Sequence, residues 1–196
     1  MRRRLAASEA GFNSCDGCIF GRGWHKPAMI RNTSAIAAML SLASPAMAEH
    51  VAPTPAEAQF AQILGWEGRW QVAETDALQI VFEVTARGKT VVERWETAAG
   101  LHSITVYHLD GDAVVATHYC PQGNQPRLQS VPGDAGAIAF EFRDITGLDE
   151  GESHQFSLAY TRREDGSLFR SEVYRSADGP GEPSSYTLTR AAEPAS

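Results

Sequence analysis

The sequence predicts an all-β domain, an antiparallel up-and-down barrel of about 8–10 strands opened by one short helix. Three observations predict it. From Trp66 to Arg190 the apolar, β-branched and aromatic residues recur with period two. Turn residues interrupt that pattern at short intervals, as at Arg87-Gly88, Asp110-Gly111, Pro132-Gly133-Asp134, Glu164-Asp165-Gly166 and Asp178-Gly179-Pro180-Gly181. No helical segment separates the strands, which excludes parallel βαβ units. A meander of this many strands must hide its edges, so a closed barrel is the first expectation and a two-sheet sandwich the second.

The elements follow in order. Residues 1–28 read as an upstream extension arising from a mis-assigned start. Its Cys15 and Cys18 form a C-x-x-C pair with no second pair and no strand-helix context to give it zinc or redox chemistry. Residues 29–48 read as a signal peptide: Arg31 supplies the positive region, Ala35 to Ala43 the apolar one, and Ala46-Met47-Ala48 the small residues of a cleavage site. The apolar run falls short of the roughly 20 residues a membrane span needs. Cleavage near Ala48/Glu49 would deliver a periplasmic or secreted protein, with residues 49–54 as a tether, 55–190 as the barrel and 191–196 as a tail.

Thr54-Pro55-Ala56-Glu57 combines an N-cap threonine, a proline at the first helical position and a capping-box glutamate. Phe60, Ile63 and Leu64 share one face of the helix that follows, and Gly65 suits its end. Strands are predicted at 66–74, 78–85, 90–97, 101–109, 113–120, 125–131, 137–143, 153–161, 167–175 and 184–190.

From Glu49 onward the chain holds 11 Lys and Arg against 22 Asp and Glu, a net charge of −11. Such a surface repels nucleic-acid phosphates and anionic lipid, so neither is an expected partner. Cys120 is the single cysteine of that stretch, which leaves the fold to its apolar core. One domain and a monomer are the simplest reading.

Gly68-Arg69-Trp70, following a short helix at the head of the first strand, resembles the G-x-W signature of lipocalins and other calycin barrels. The resemblance implies that the tryptophan closes the barrel floor and that a basic residue of the last strand, here Arg190, packs across it. A guanidinium can stack on indole while bonding loose strand-end carbonyls. A second likeness runs through Thr117-His118-Tyr119-Cys120, Gly123-Asn124-Gln125-Pro126-Arg127, Phe142-x-Asp144 and His154. It is similar to a group of uncharacterised, exported bacterial lipocalin-like proteins patterned T-H-Y-C-x-x-G-N-Q-P-R, then an aspartate, T-N-L and H-M. This chain departs with Thr146-Gly147-Leu148 and His154-Gln155. The resemblance implies a fold and a compartment rather than an activity.

Candidate ligand-binding residues are His118, Cys120, Asn124, Gln125, Arg127, Asp144 and His154. His118 and Cys120 share one side of their strand, as do Gln125 and Arg127. If that side is the interior, an apolar cavity would carry a few convergent polar groups, the usual construction of a small-ligand site. Arg127 would select an anionic headgroup, with His118 and Asn124 orienting it, and the expected partner is a small amphipathic or anionic molecule. In the opposing account, Asn124 and Gln125 satisfy a tight turn while Arg127 pairs with a surface acid, Asp144 being the partner the resemblance suggests.

Two further readings stand beside these. A haem or metal site would use His118 and His154. The register of the 101–120 hairpin bears on it: an Asp110-Gly111 loop sets Ser103 opposite His118, with Thr105 and Tyr107 on the same face. A three-residue loop would bring His102 there instead. Alternatively the barrel is filled by Trp66, Trp70, Trp95, Phe82, Phe140, Phe142 and Phe156 and serves a structural or interaction role. No cofactor and no catalytic residue is assigned, because no unambiguous nucleophile-base pair, G-x-S-x-G elbow or H-E-x-x-H motif is present.

Overall fold

A computed structural model describes residues 52–133 and 136–192. The proposed extension, signal peptide and cleavage point lie outside them. Helix α1 (Pro55–Leu64) is followed by β1 (Gly68–Val72), β2 (Thr75–Thr85), β3 (Thr90–Thr97), β4 (Gly100–Asp110), β5 (Ala113–Tyr119), β6 (Gln125–Val131), β7 (Ala137–Thr146), β8 (His154–Arg162), β9 (Leu168–Ser176), β10 (Gly179–Pro180) and β11 (Ser184–Arg190). Each strand pairs antiparallel with its neighbour from β1 to β9, β11 pairs with both β9 and β1, and the ring of ten closes. The sandwich is thereby excluded. β10 is a two-residue arm on the end of β9 where only a turn was expected.

The chain enters at Gly68 and leaves at Arg190 at one end of the barrel, the end that also carries the turns after β2, β4, β6 and β8. Helix α1 packs there against β4 and β5, and Gln59 Nε2 donates to Val131 O at 2.9 Å. The capping box forms as its residues require: Glu57 N–H donates to Thr54 Oγ1 at 3.2 Å and Thr54 N–H to Glu57 Oε2 at 2.7 Å. No helix of the described residues is long and apolar enough to cross a membrane.

The floor matches the arrangement the G-x-W resemblance implies. Trp70 and Arg190 are register partners, the Arg190 guanidinium lies 4.6 Å from the Trp70 ring, and its two terminal nitrogens donate to Glu67 O and Gly65 O, both at 2.7 Å. Gly68 is required beside them. Its φ is +121°, and a Cβ there would stand 3.1 Å from Arg190 Nη1. Trp66 precedes β1 rather than belonging to it; it accepts from Trp70 Nε1 at 2.8 Å through its carbonyl and packs its ring against Phe82 and Tyr160. With Phe60, Ile63 and Leu168 these side chains fill the helix end of the barrel.

Alternation sorts the remaining residues. Val91, Glu93 and Trp95 of β3, Ser103, Thr105 and Tyr107 of β4, and Leu168, Arg170 and Glu172 of β9 are all buried. Their chain neighbours lie toward the outside. The hairpin between β4 and β5 settles the open register: its loop is Gly111-Asp112, because Asp110 pairs with Ala113 and Thr105 with His118. Of the two faces left open, the one that sets Ser103, Thr105 and Tyr107 beside His118 is formed. The partner shifts by two residues, and His102 is left exposed at the rim.

Candidate functional site

The seven residues singled out in the sequence do not converge. Only His118 lies in the interior, 3% exposed, with Thr105 Oγ1 3.0 Å from Nδ1 and Tyr174 Oη 3.3 Å from Nε2. Burial holds its pKa below the ordinary imidazole value; Glu93 works against that and Arg170 with it. The ring is therefore neutral near pH 7, its two nitrogens facing two hydroxyls.

Arg127 is corrected from inside to outside. It alternates with buried Pro126 and Leu128, is 46% exposed, and grips Asp144 across the β6–β7 ladder through Nε to Oδ1 at 2.5 Å and Nη2 to Oδ2 at 2.8 Å. The turn-and-ion-pair account describes this residue. Gln125 shares the outward side, donating to Gly123 O and accepting from Thr146 Oγ1 at 3.0 Å. Cys120 is half-buried beyond the end of β5, and its backbone closes the turn by donating to Asn124 O and accepting from Gly123 N–H, each at 3.0 Å.

Asn124 is fully buried but holds two loops together: Nδ2 donates to Glu152 Oε2 at 2.9 Å and Ser153 O at 3.1 Å. Against that turn sits Gly147, at φ +66°, where a Cβ would stand only 3.0 Å from Gly123 O. The departure from T-N-L thus falls at a left-handed, crowded position that glycine fills without a side chain. His154 stands apart from both His118 and the Asn124 turn. It pairs with Arg175 one step from the inward pair Gln155 and Tyr174, so it faces outward, and its ring lies 5.0 Å from Phe142 and 6.5 Å from Phe156. The haem or metal reading loses its pair, because His118 and His154 stand on opposite sides of the wall. Phe142 and Phe156 stack on each other at 5.8 Å and remain partly exposed; of the proposed filling aromatics, Trp66, Trp70, Trp95, Phe82 and Phe140 are the buried ones.

What does converge is a layer of charge across the barrel interior. Arg170, 1% exposed, lies between two carboxylates, with Nε 3.3 Å from Glu93 Oε1 and Nη1 2.9 Å from Glu172 Oε1. Its Nε also donates to Tyr160 Oη at 3.0 Å, and its guanidinium sits 4.5 Å from the Trp95 ring. Glu93 accepts from Trp95 Nε1 at 2.7 Å and from the Tyr107 hydroxyl. Glu172 accepts from Gln155 Nε2 at 2.7 Å. Burial pushes the Glu172 carboxyl up, but the Arg170 charge and the bonds from Arg170 and Gln155 bring it below the usual carboxylate value. Burial likewise opposes the Arg170 charge, and facing Glu172, Tyr160 and Glu93 outweighs it. Burial, then the charge of Glu93, pushes the Tyr107 hydroxyl well above its ordinary value, so it stays a donor.

Above this layer, toward the end opposite α1, Trp95, Ser103, His118, Arg170, Glu172, Tyr174 and Tyr186 line a cavity of about 160 Å³, with His102 and Pro121 at its edge. A larger hollow of about 490 Å³ lies on the outer wall among Glu141, Phe142, Phe156, Ser157, Val173 and Pro180. It is an open, largely apolar groove with no buried charged residue in its lining. The inner cavity is the better candidate, since buried polar groups of opposite character meet there.

Sequence reading missed Glu93, Gln155, Arg170, Glu172 and Tyr174. The available signal was parity: Arg170, Glu172 and Tyr174 alternate with Leu168 on one side of a single strand, and Glu93 lies between Val91 and Trp95. No protein-family model matches the chain, and no curated protein is significantly similar to it.

Proposed function

We propose that this protein is an exported, calycin-type binding barrel that holds one small polar molecule in the cavity at its open end. The observation that carries the reading is the cavity above the Glu93–Arg170–Glu172 layer, enclosed by the barrel wall and lined by His118, Ser103, Tyr174, Tyr186 and Glu172. Such groups cost free energy to bury and recover it only by hydrogen bonding, so they hold one ligand orientation.

Size sharpens the expectation of an amphipathic ligand. At about 30 Å³ per water the cavity equals roughly five water molecules. The space beneath it is occupied by Tyr107, Tyr160, Phe82 and Trp66, leaving a long acyl chain nowhere to go. A compact molecule of a few heavy atoms fits. Recognition passes from Arg127 to His118, Tyr174 and the Arg170–Glu172 pair. Export rests on the Met29–Ala48 segment, and calycin kinship on the G-x-W floor with Arg190 stacked across Trp70.

Native mass spectrometry of protein purified from its own host tests the reading, with Ser103→Phe as the cavity-filling control. Expected is a small adduct on the wild type that is missing from the variant. An adduct retained by Ser103→Phe, or no adduct and no binding from a small-fragment screen, would overturn it.

A further inference from the structure

We propose that the open-end cavity selects a small organic cation, such as a primary ammonium on a short carbon chain. The proposal rests on the reading above that this cavity is a ligand site, and adds the sign of the ligand's charge. The layer beneath holds two carboxylates and one guanidinium, a formal balance of −1. Glu93 accepts hydrogen bonds from Trp95 Nε1 and the Tyr107 hydroxyl and faces Arg170 Nε at 3.3 Å.

The charge that an entering molecule meets is also negative. Glu172 keeps 8% of its side chain accessible, whereas Arg170 keeps 1% and Glu93 none. Arg170 is ion-paired to both Glu93 and Glu172 and donates through Nε to Tyr160, with the Trp95 ring against its face; its Nη1, 2.9 Å from Glu172 Oε1, makes no well-aligned hydrogen bond. An incoming carboxylate would compete with two carboxylates already paired to that guanidinium and would stand beside Glu172, a like charge in a poorly solvated site.

An ammonium finds acceptors instead. Glu172, which accepts from Gln155 Nε2 through Oε2, lines the cavity beside Ser103 and Tyr174, and three N–H groups are what an ammonium offers to such a set of oxygens. His118, kept neutral by burial, contributes no opposing charge. Outside, the balance of −11 from Glu49 onward draws cations toward the barrel.

Isothermal titration calorimetry on the full chain with propylammonium, propan-1-ol and propionate, three probes of nearly equal size, separates the possibilities. Saturable binding of propylammonium is expected, at least tenfold tighter than either other probe, abolished by Ser103→Phe and weakened at least tenfold by Glu172→Gln. If Glu172→Gln loses its near-UV circular dichroism, His102→Lys at the exposed rim replaces it and should weaken propylammonium at least threefold. Unchanged affinity in the folded variant overturns the proposal. Propionate or propan-1-ol binding as tightly, still abolished by Ser103→Phe, overturns the cation selectivity and leaves the cavity site standing. No saturable binding from any probe overturns both.

Discussion

Arg127 and Arg170 present the same chemistry on opposite sides of one wall. Arg127 meets its acid on the neighbouring strand, whereas Arg170 meets Glu172 along its own strand and Glu93 across the barrel interior, and Arg127 keeps nearly half its side chain in water while Arg170 keeps almost none. In water, the Arg127–Asp144 fork exchanges hydration for a contact of similar worth. Inside, Arg170 holds two carboxylates, one sealed from solvent and the other nearly so, and the layer depends on every member. A dense polar motif in sequence therefore marks a turn and a surface clasp, while the group with consequences for folding and binding is spread over β3, β8 and β9.

The sharpest break of that comparison is removal of each guanidinium. Arg170→Met should destabilise by about 3–5 kcal/mol, because it strands Glu93 and Glu172 in the core. Urea denaturation followed by fluorescence checks it. Arg127→Met should leave the denaturation midpoint where it is, and equal losses from the two variants would dissolve the distinction. Replacing Glu93, Arg170 and Glu172 together by apolar residues of similar volume should restore much of the loss, since no buried charge then remains unpaired.

The helix end contrasts with the open end in a second way, by being filled. Trp70→Ala should cost about 3–5 kcal/mol through lost burial and a residual cavity. It also removes the surface on which Arg190 stacks. Ser103→Phe at the open end should cost far less, because it grows into existing space. A larger loss from Ser103→Phe than from Trp70→Ala would mean that the ends are packed alike.

Much of this was legible in the sequence. Period-two alternation located all ten barrel strands, and Thr54-Pro55-Ala56-Glu57 set the helix start, because backbone pairing and capping are local rules. The side of the wall was harder to read. In Leu168-Phe169-Arg170-Ser171-Glu172-Val173-Tyr174 both parities carry apolar residues, so alternation alone does not say which faces inward. Only closure of the ring, which sets Leu168 and Glu172 opposite Leu188 and Leu158, resolves it. Gln125 and Arg127 were read correctly as sharing a side, and that side is the outer one.

Acid should separate the inner groups in order. His118 has its folded pKa depressed below the unfolded value of 6.5, first by burial, in surroundings that include Glu93, Arg170, Glu172 and His102. Its contribution to stability is complete above pH 6.5 and is lost as pH falls from there through the folded value. Glu172, also depressed, contributes above its unfolded value of 4.5 and loses that contribution below it. A stability–pH curve should therefore show an upper limb that His118→Gln removes and a lower limb that it spares. Loss of both limbs, or of neither, would contradict the assignment.

The smallest effect belongs to the helix cap. Thr54→Ala should cost about 1 kcal/mol, since one capping oxygen is lost at an exposed terminus. Thermal melting resolves a change of that size, and no change would mean that packing of α1 on β4 and β5 alone holds the helix.

One titration bears most directly on the central claim, that recognition belongs to the inner cavity rather than to the polar turn. Propylammonium added to uniformly ¹⁵N-labelled protein should shift the amide signals of Ser103, His118, Glu172 and Tyr174 in a saturable way and leave Gln125, Arg127 and Asp144 still. Shifts confined to Gln125, Arg127 and Asp144, with the interior unmoved, would contradict it.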